Sequence, residues 1–140
     1  MIGDEISCLK NVGLLRLDDT SSYCQSINAS QVLPRSKQES DDLVQALLSL
    51  DLVSENGETL VSLGIYRTRI GEWFDSTGQL ISYFNWLPYR PADLSGNSNC
   101  AALRINEVNG ISGWDEFSGS DKLNAVCTKT AGYGKNNSLF

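Results

Sequence analysis

The first half of the chain alternates between two helix-like stretches, and the second half is a succession of short β-like runs. In "DDTSSYCQSI", Asp18, Asp19 and Thr20 are residue types that cap a helix start, and Tyr23 and Ile27 fall four apart on one face. A second helix opens at Ser36-Lys37-Gln38-Glu39, a capping-box pattern in which the serine accepts a free backbone N–H and the glutamate reaches back. Asp41 and Asp42 suit the positive end of its dipole, and Leu43, Val44, Leu47, Leu48 and Leu50 supply an apolar face. After the turn residues "SENGE" the period changes. "TLVSLGIY" reads as a strand, and so do "CAALRI", "GISGW" and "NAVCTKT" further on.

Between them, from Arg67 to Asn99, glycines, prolines and aromatics follow one another with no sustained period. So long a stretch without regular structure, inside a chain of this size, points to a functional loop. The order strand, two helices, strand, long loop, strands segregates helices from strands and predicts an α+β fold. No internal repeat or linker is visible. The expected organisation is one domain over residues 1–130 and a frayed polar tail over 131–140.

Length and composition narrow the function. A chain of 140 residues, 41% apolar and 20% charged, can build one real core. A net charge of −6 disfavours nucleic-acid backbones and gives no polybasic handle for an anionic membrane. No apolar run approaches the roughly 20 residues that cross a bilayer. The opening "MIGDEISC" is acidic and has no apolar stretch, so Met1 is read either as a start replacing a removed leader or as a boundary cut from a longer chain.

Histidine is absent, which removes the commonest general base and the usual metal ligand. Paired catalytic carboxylates are equally poorly placed, because Asp115 and Glu116 are neighbours in an expected strand and point to opposite faces. No glycine-rich phosphate loop follows a strand, so an enzyme is not expected. The four cysteines, Cys8, Cys24, Cys100 and Cys127, form no C-x-x-C pair. Their wide spacing fits disulfides of an extracellular or secreted protein better than zinc or redox chemistry. Two N-glycosylation acceptor patterns, Asn28-Ala29-Ser30 and Asn136-Asn137-Ser138, agree with secretion but add little alone.

Six segments taken in order resemble the C-type lectin-like domain over roughly Cys8 to Lys129. "SLGI" is a weakened form of the family's second-strand core motif. "EWFDSTG" and "YFNW" resemble its Trp-x-Asp-x-x-Gly and Asn-Trp loop segments. "NSNCAAL" resembles its Asn-Cys strand and "GWDEF" its Trp-Asn-Asp strand, while Cys24 and Cys127 stand where the family places a helix-to-last-strand disulfide. The resemblance implies two helices flanking small antiparallel sheets with a long irregular binding loop, and packing roles for Trp73, Trp86 and Trp114. It implies a Cys24–Cys127 bridge, which would close a loop of about 100 residues and be worth about 4–5 kcal/mol in the chain-entropy account.

The family's usual partner for Cys100 would fall at Gly119, and no cysteine precedes Cys8. These two are left to pair unusually, to stay free, or to bond a disulfide-linked partner. The resemblance places them at opposite ends of the domain, which argues against their pairing with each other.

Sugar-binding members of the family hold calcium through a Glu-Pro-Asn or Gln-Pro-Asp triplet, a Glu before the Asn-Cys pair, and a final Asn-Asp. Here those positions read Arg90-Pro91-Ala92, Ser98 and Asp115-Glu116. Calcium wants six to eight oxygen ligands, and a guanidinium at Arg90 opposes the ion by several kcal/mol at about 4 Å. The expectation is therefore no cofactor, with Asp115 and Glu116 paired to Arg90 or Arg104 in place of the metal. Were calcium bound, Asp93, Asp115 and Glu116 would hold it.

Pro91 stands where the family uses a cis proline. The segment "LPYRPADL" offers Tyr89, Arg90, Asp93 and Leu94 as contacts, with Tyr66, Arg67 and Arg69 extending that face. The expected partner is a protein ligand or a glycan bound through the long loop, with protein recognition without calcium the leading reading. The alternatives are a lectin with an atypical site, calcium-dependent or not, and an assembly role linked through Cys8 or Cys100.

Overall fold

The computed structural model describes residues 6–67, 71–92 and 98–131, with side chains over 8–67, 71–92 and 98–129. Its elements in chain order are β1 (Ile6–Arg16), α1 (Leu17–Ser26), β2 (Ser30–Gln31), α2 (Lys37–Leu48), β3 (Ser54–Glu55), β4 (Glu58–Arg67), β5 (Trp73–Asp75), β6 (Cys100–Asn106), β7 (Ser112–Phe117) and β8 (Lys122–Ala131). The main sheet runs β1-β8-β4-β6-β7, with β2 added to β8 and with β3 and β5 added to β4. Every ladder is antiparallel except the contact of β4 with β8. The α+β class read from the sequence is observed, with the two-residue β2 intervening between the helices and β5 lying inside the stretch expected to be irregular. The tail beyond Ala131 lies outside the described residues.

Both faces of the central strands are buried. Along β6, Ala101, Leu103 and Ile105 enter a large cluster with Val61, Leu63, Ile65, Trp73, Trp114, Val126 and Leu47. The alternate residues Cys100 and Ala102 join Leu17 and Leu123 in a second cluster on the other face. Such a strand reads as a near-continuous apolar run. Trp73 and Trp114 are core residues, as expected, and Trp86 packs against the same cluster.

The helices differ from expectation in their details. The N-cap of α1 is Arg16, which makes no side-chain cap. Its first amides instead donate to distant carbonyls, Leu17 to Asp121 (3.0 Å) and Asp18 to Gly119 (3.0 Å). Long-range backbone thus satisfies donors that a local side chain usually takes, and Asp18, Asp19 and Thr20 fall inside the first turn rather than capping it. The buried face is Leu17, Thr20 and Cys24, while Tyr23 points outward.

In α2, Ser36 accepts from the Glu39 amide at 3.1 Å, but the Glu39 carboxylate reaches the Arg35 amide (3.2 Å) rather than Ser36 itself. Asp41 and Asp42 accept from Lys37 and Gln38 one turn earlier, so side-chain pairs supplement the dipole. Leu47 is buried, Leu43, Val44 and Leu50 pack against the core, and Leu48 is half exposed.

The Cys24–Cys127 disulfide is formed, with 5.4 Å between Cα atoms and a sequence separation of 103. It ties α1 to β8 beside Ala29. Cys8 and Cys100 are free thiols. Cys100 lies fully buried, and burial pushes its thiol up to about 12, with Asp18 and Asp121 adding to the rise. A Cβ built on Gly119, where a partner cysteine would stand, would clash with the Asp18 carboxylate.

Candidate functional site

The long loop is anchored to β7 by aromatic packing and backbone bonds. Leu87 N–H donates to the Trp114 carbonyl (2.9 Å), and Trp114 N–H donates to the Asn85 carbonyl (2.8 Å). Gly113 allows this approach, because a Cβ there would lie 2.8 Å from the Leu87 side chain. Around this seam Trp86 and Trp114 meet edge to face at 5.7 Å, Trp73 and Trp86 pack at a tilt with centroids 5.0 Å apart, and Phe84 stacks on Trp86 at 6.3 Å. Earlier in the loop, Asp75 caps its own turn through Thr77 and Gln79 and pairs with Arg35 at 3.0 Å. Burial pulls the Asp75 carboxyl upward, but these hydrogen bonds outweigh it and bring it down to about 2.

The loop tip follows directly. Arg90–Pro91 is a cis peptide, and Tyr89 has φ +65° and is 93% exposed. Beneath the tip lies a network of three guanidiniums and three carboxylates. Asp115, 6% exposed, is held on both oxygens. Its Oδ1 accepts from Arg90 Nε at 2.7 Å, and its Oδ2 accepts from Arg104 Nε at 3.2 Å and Nη2 at 3.0 Å. Arg104 also donates to Glu58 Oε1 at 2.8 Å and lies over the Phe117 ring. Glu116 accepts from the Ala92 amide and pairs with Arg67 at 3.7 Å. Arg67 in turn donates to the Ser98 carbonyl at 2.7 Å and lies 5.0 Å over Trp73.

Of the residues singled out in the sequence, Tyr89, Arg90, Asp115 and Glu116 therefore come together around the loop tip. Asp93, Leu94 and Arg69 lie outside the described residues. Arg67 does not extend a contact face, since its side chain is only 10% exposed and turned onto Glu116 and Trp73. Glu58 went unnoticed in sequence because its place depends on register: Leu60 pairs with Arg104 across β4 and β6, bringing the start of β4 alongside. The exposed Leu80 and Phe84 were also missed, as nothing local separates an outward aromatic from the buried Trp73 and the half-buried Trp86.

Two helices, a sheet buried on both faces, a helix-to-last-strand disulfide and a long loop seated on an edge strand define the C-type lectin fold. The chain belongs to that family: the family model described as Lectin C-type domain matches residues 14–129. Similar solved structures include human lithostathine, with TM-score 0.72, 18% identity and coverage of 94% of this chain and 95% of that one. The carbohydrate-recognition domain of mouse scavenger receptor C-type lectin aligns with TM-score 0.70, 16% identity and 92% coverage of each chain. The C-type lectin domain of murine dendritic cell inhibitory receptor 2, solved in complex with N-glycan, aligns with TM-score 0.70, 15% identity and coverage of 91% and 92%.

The donor set at the loop tip suits the family's calcium ion poorly. Calcium needs six to eight oxygens converging on one point. Here both oxygens of Asp115 face guanidiniums, Glu116 faces another, and Arg90 brings its cation to within 2.7 Å of the Asp115 carboxylate.

Proposed function

We propose that this domain is a non-catalytic extracellular recognition module that binds a protein ligand through its long loop without calcium. The observation that carries the reading is the clamp on Asp115: Arg90 and Arg104 supply the positive charge that a calcium ion brings elsewhere. The loop tip is thereby shaped by the chain's own cations. On it Tyr89 projects almost fully into solvent beside Arg90, and Tyr and Arg are the residue types enriched where proteins anchor one another. The extracellular assignment is supported by the Cys24–Cys127 bridge, since such bonds persist in oxidising compartments. The absence of histidine and the separate partners of Asp115 and Glu116 support a role without catalysis.

A glycan ligand is the second reading, supported by the N-glycan complex of the murine receptor domain that shares the fold. The two separate cleanly in parallel screens, one against an array of secreted and ectodomain proteins and one against a glycan array, each run in calcium and in chelator. The proposal expects a protein hit that survives chelator and is lost in Tyr89→Ala with the melting temperature unchanged. Calcium-dependent glycan binding with no protein hit would overturn it.

A further inference from the structure

The turn between α1 and β2 carries the acceptor triplet Asn28-Ala29-Ser30 in a specific geometry. Asn28 has φ +58°, a left-handed conformation that asparagine tolerates better than most residues. The turn is fixed from below: Asn28 N–H donates to the Gln25 carbonyl (3.0 Å), and Ala29 N–H donates to the Cys24 carbonyl (2.8 Å). Ala29 is buried against the Cys24–Cys127 bridge, whereas Asn28 and Ser30 are exposed. Among the described residues neither the Asn28 amide nor the Ser30 hydroxyl makes a side-chain hydrogen bond. Both border an open hollow of about 470 Å3, shared with Thr128 and Lys129.

We propose that Asn28 is a site of N-linked glycosylation, a step that rests on the extracellular reading given above. The co-reactant is a lipid-linked diphospho-oligosaccharide. Asn28 Nδ2 forms a bond to C1 of the first sugar as the C1–O bond to the diphosphate breaks. The lipid diphosphate leaves with the electron pair, and the proton lost from Nδ2 passes to solvent.

Two features of the chain favour this acceptor. Cys127 follows Cys24 by 103 residues, so in N-to-C synthesis Asn28 emerges before the bridge that fixes its turn can close. Once the domain has folded, the exposed side chain and the hollow beside it accommodate the first sugar without disturbing Ala29. The modification thus occupies a surface turn that carries no residue of the Arg90–Asp115 network.

The test is translation of the chain behind a secretory leader in the presence of microsomes, with Asn136→Gln in every variant to remove the second triplet. Protease protection establishes translocation, and mass spectrometry after peptide-N-glycosidase in labelled water reads the peptide spanning Asn28. The expected result is modification of Asn28 in the parent and in Ser30→Thr, and its loss in Ser30→Ala with translocation unchanged. Translocated chain with unmodified Asn28 would overturn the proposal and leave the recognition reading untouched. Natural protein isolated with Cys24 and Cys127 reduced would instead sink the extracellular reading, a result the microsome assay does not depend on.

Discussion

Replacing Asp115 by Asn removes the charge on which two guanidiniums converge while keeping the shape of the side chain. The carboxylate accepts three N–H bonds from Arg90 and Arg104 at 2.7–3.2 Å and is 6% exposed. A hydrogen bond to a charged group is worth about 1.5–3 kcal/mol, and breaking a fully buried pair costs about 3–5 kcal/mol. The arginine side chains are 40% and 28% exposed, and Arg104 keeps Glu58, so water and that second carboxylate recover part of the loss.

The net cost is then about 2–3 kcal/mol, a fall in melting temperature of roughly 6–12 °C for a domain of this size. Arg90→Ala leaves Asp115 paired with Arg104 and costs about 1 kcal/mol. Circular dichroism melts and urea titrations of both single variants and the double variant form a mutant cycle. Arg90 has its main charged partner in Asp115, so the double variant should be no less stable than Asp115→Asn alone. Strict additivity, or an Asp115→Asn cost below about 0.5 kcal/mol, would refute the clamp.

Other expectations follow from the same framework. Cys127→Ser opens the bridge and should cost about 3–5 kcal/mol by denaturant titration, enough to unfold a marginal domain at physiological temperature. An alkylating reagent applied to the native protein should modify the half-buried Cys8, whereas Cys100 reacts only after denaturant; Cys100 labelling at the native rate would contradict its burial. Asp75 has a folded-state value near 2, below its unfolded value near 4. Its contribution of about 2 kcal/mol is therefore complete above pH ~4 and is lost as pH falls from ~4 toward ~2. Asp75→Asn should flatten that part of the stability curve, and an unchanged acid limb would reject the assignment.

How much of this was legible in the sequence depended on whether the determining contact was local. The strands β4, β6 and β8 announced themselves because burial on both faces demands unbroken apolar or β-branched runs. The start of α1 did not, because its first amides are held by Asp121 and Gly119, about 100 residues away in the chain, and not by a nearby hydroxyl or carboxylate. The Arg90–Asp115 pair was readable, since a cation stands where the family carries an anion. The inward turn of Arg67 was not, because the ring of Trp73 and the carboxylate of Glu116 that receive it are brought there only by sheet register. The loss of the family's usual partner cysteine at position 119 was visible, but the occupation of that space by Asp18 needed the fold.

The central claim, that guanidiniums shape the loop tip in place of calcium, is tested most directly by thermal unfolding of the natural sequence across a calcium titration and in chelator. A ligand bound to the native state at 100 times its Kd adds about 2.7 kcal/mol and lifts the transition by roughly 8–10 °C. Melting curves should superimpose at every calcium concentration. A saturable upward shift reversed by chelator would contradict it.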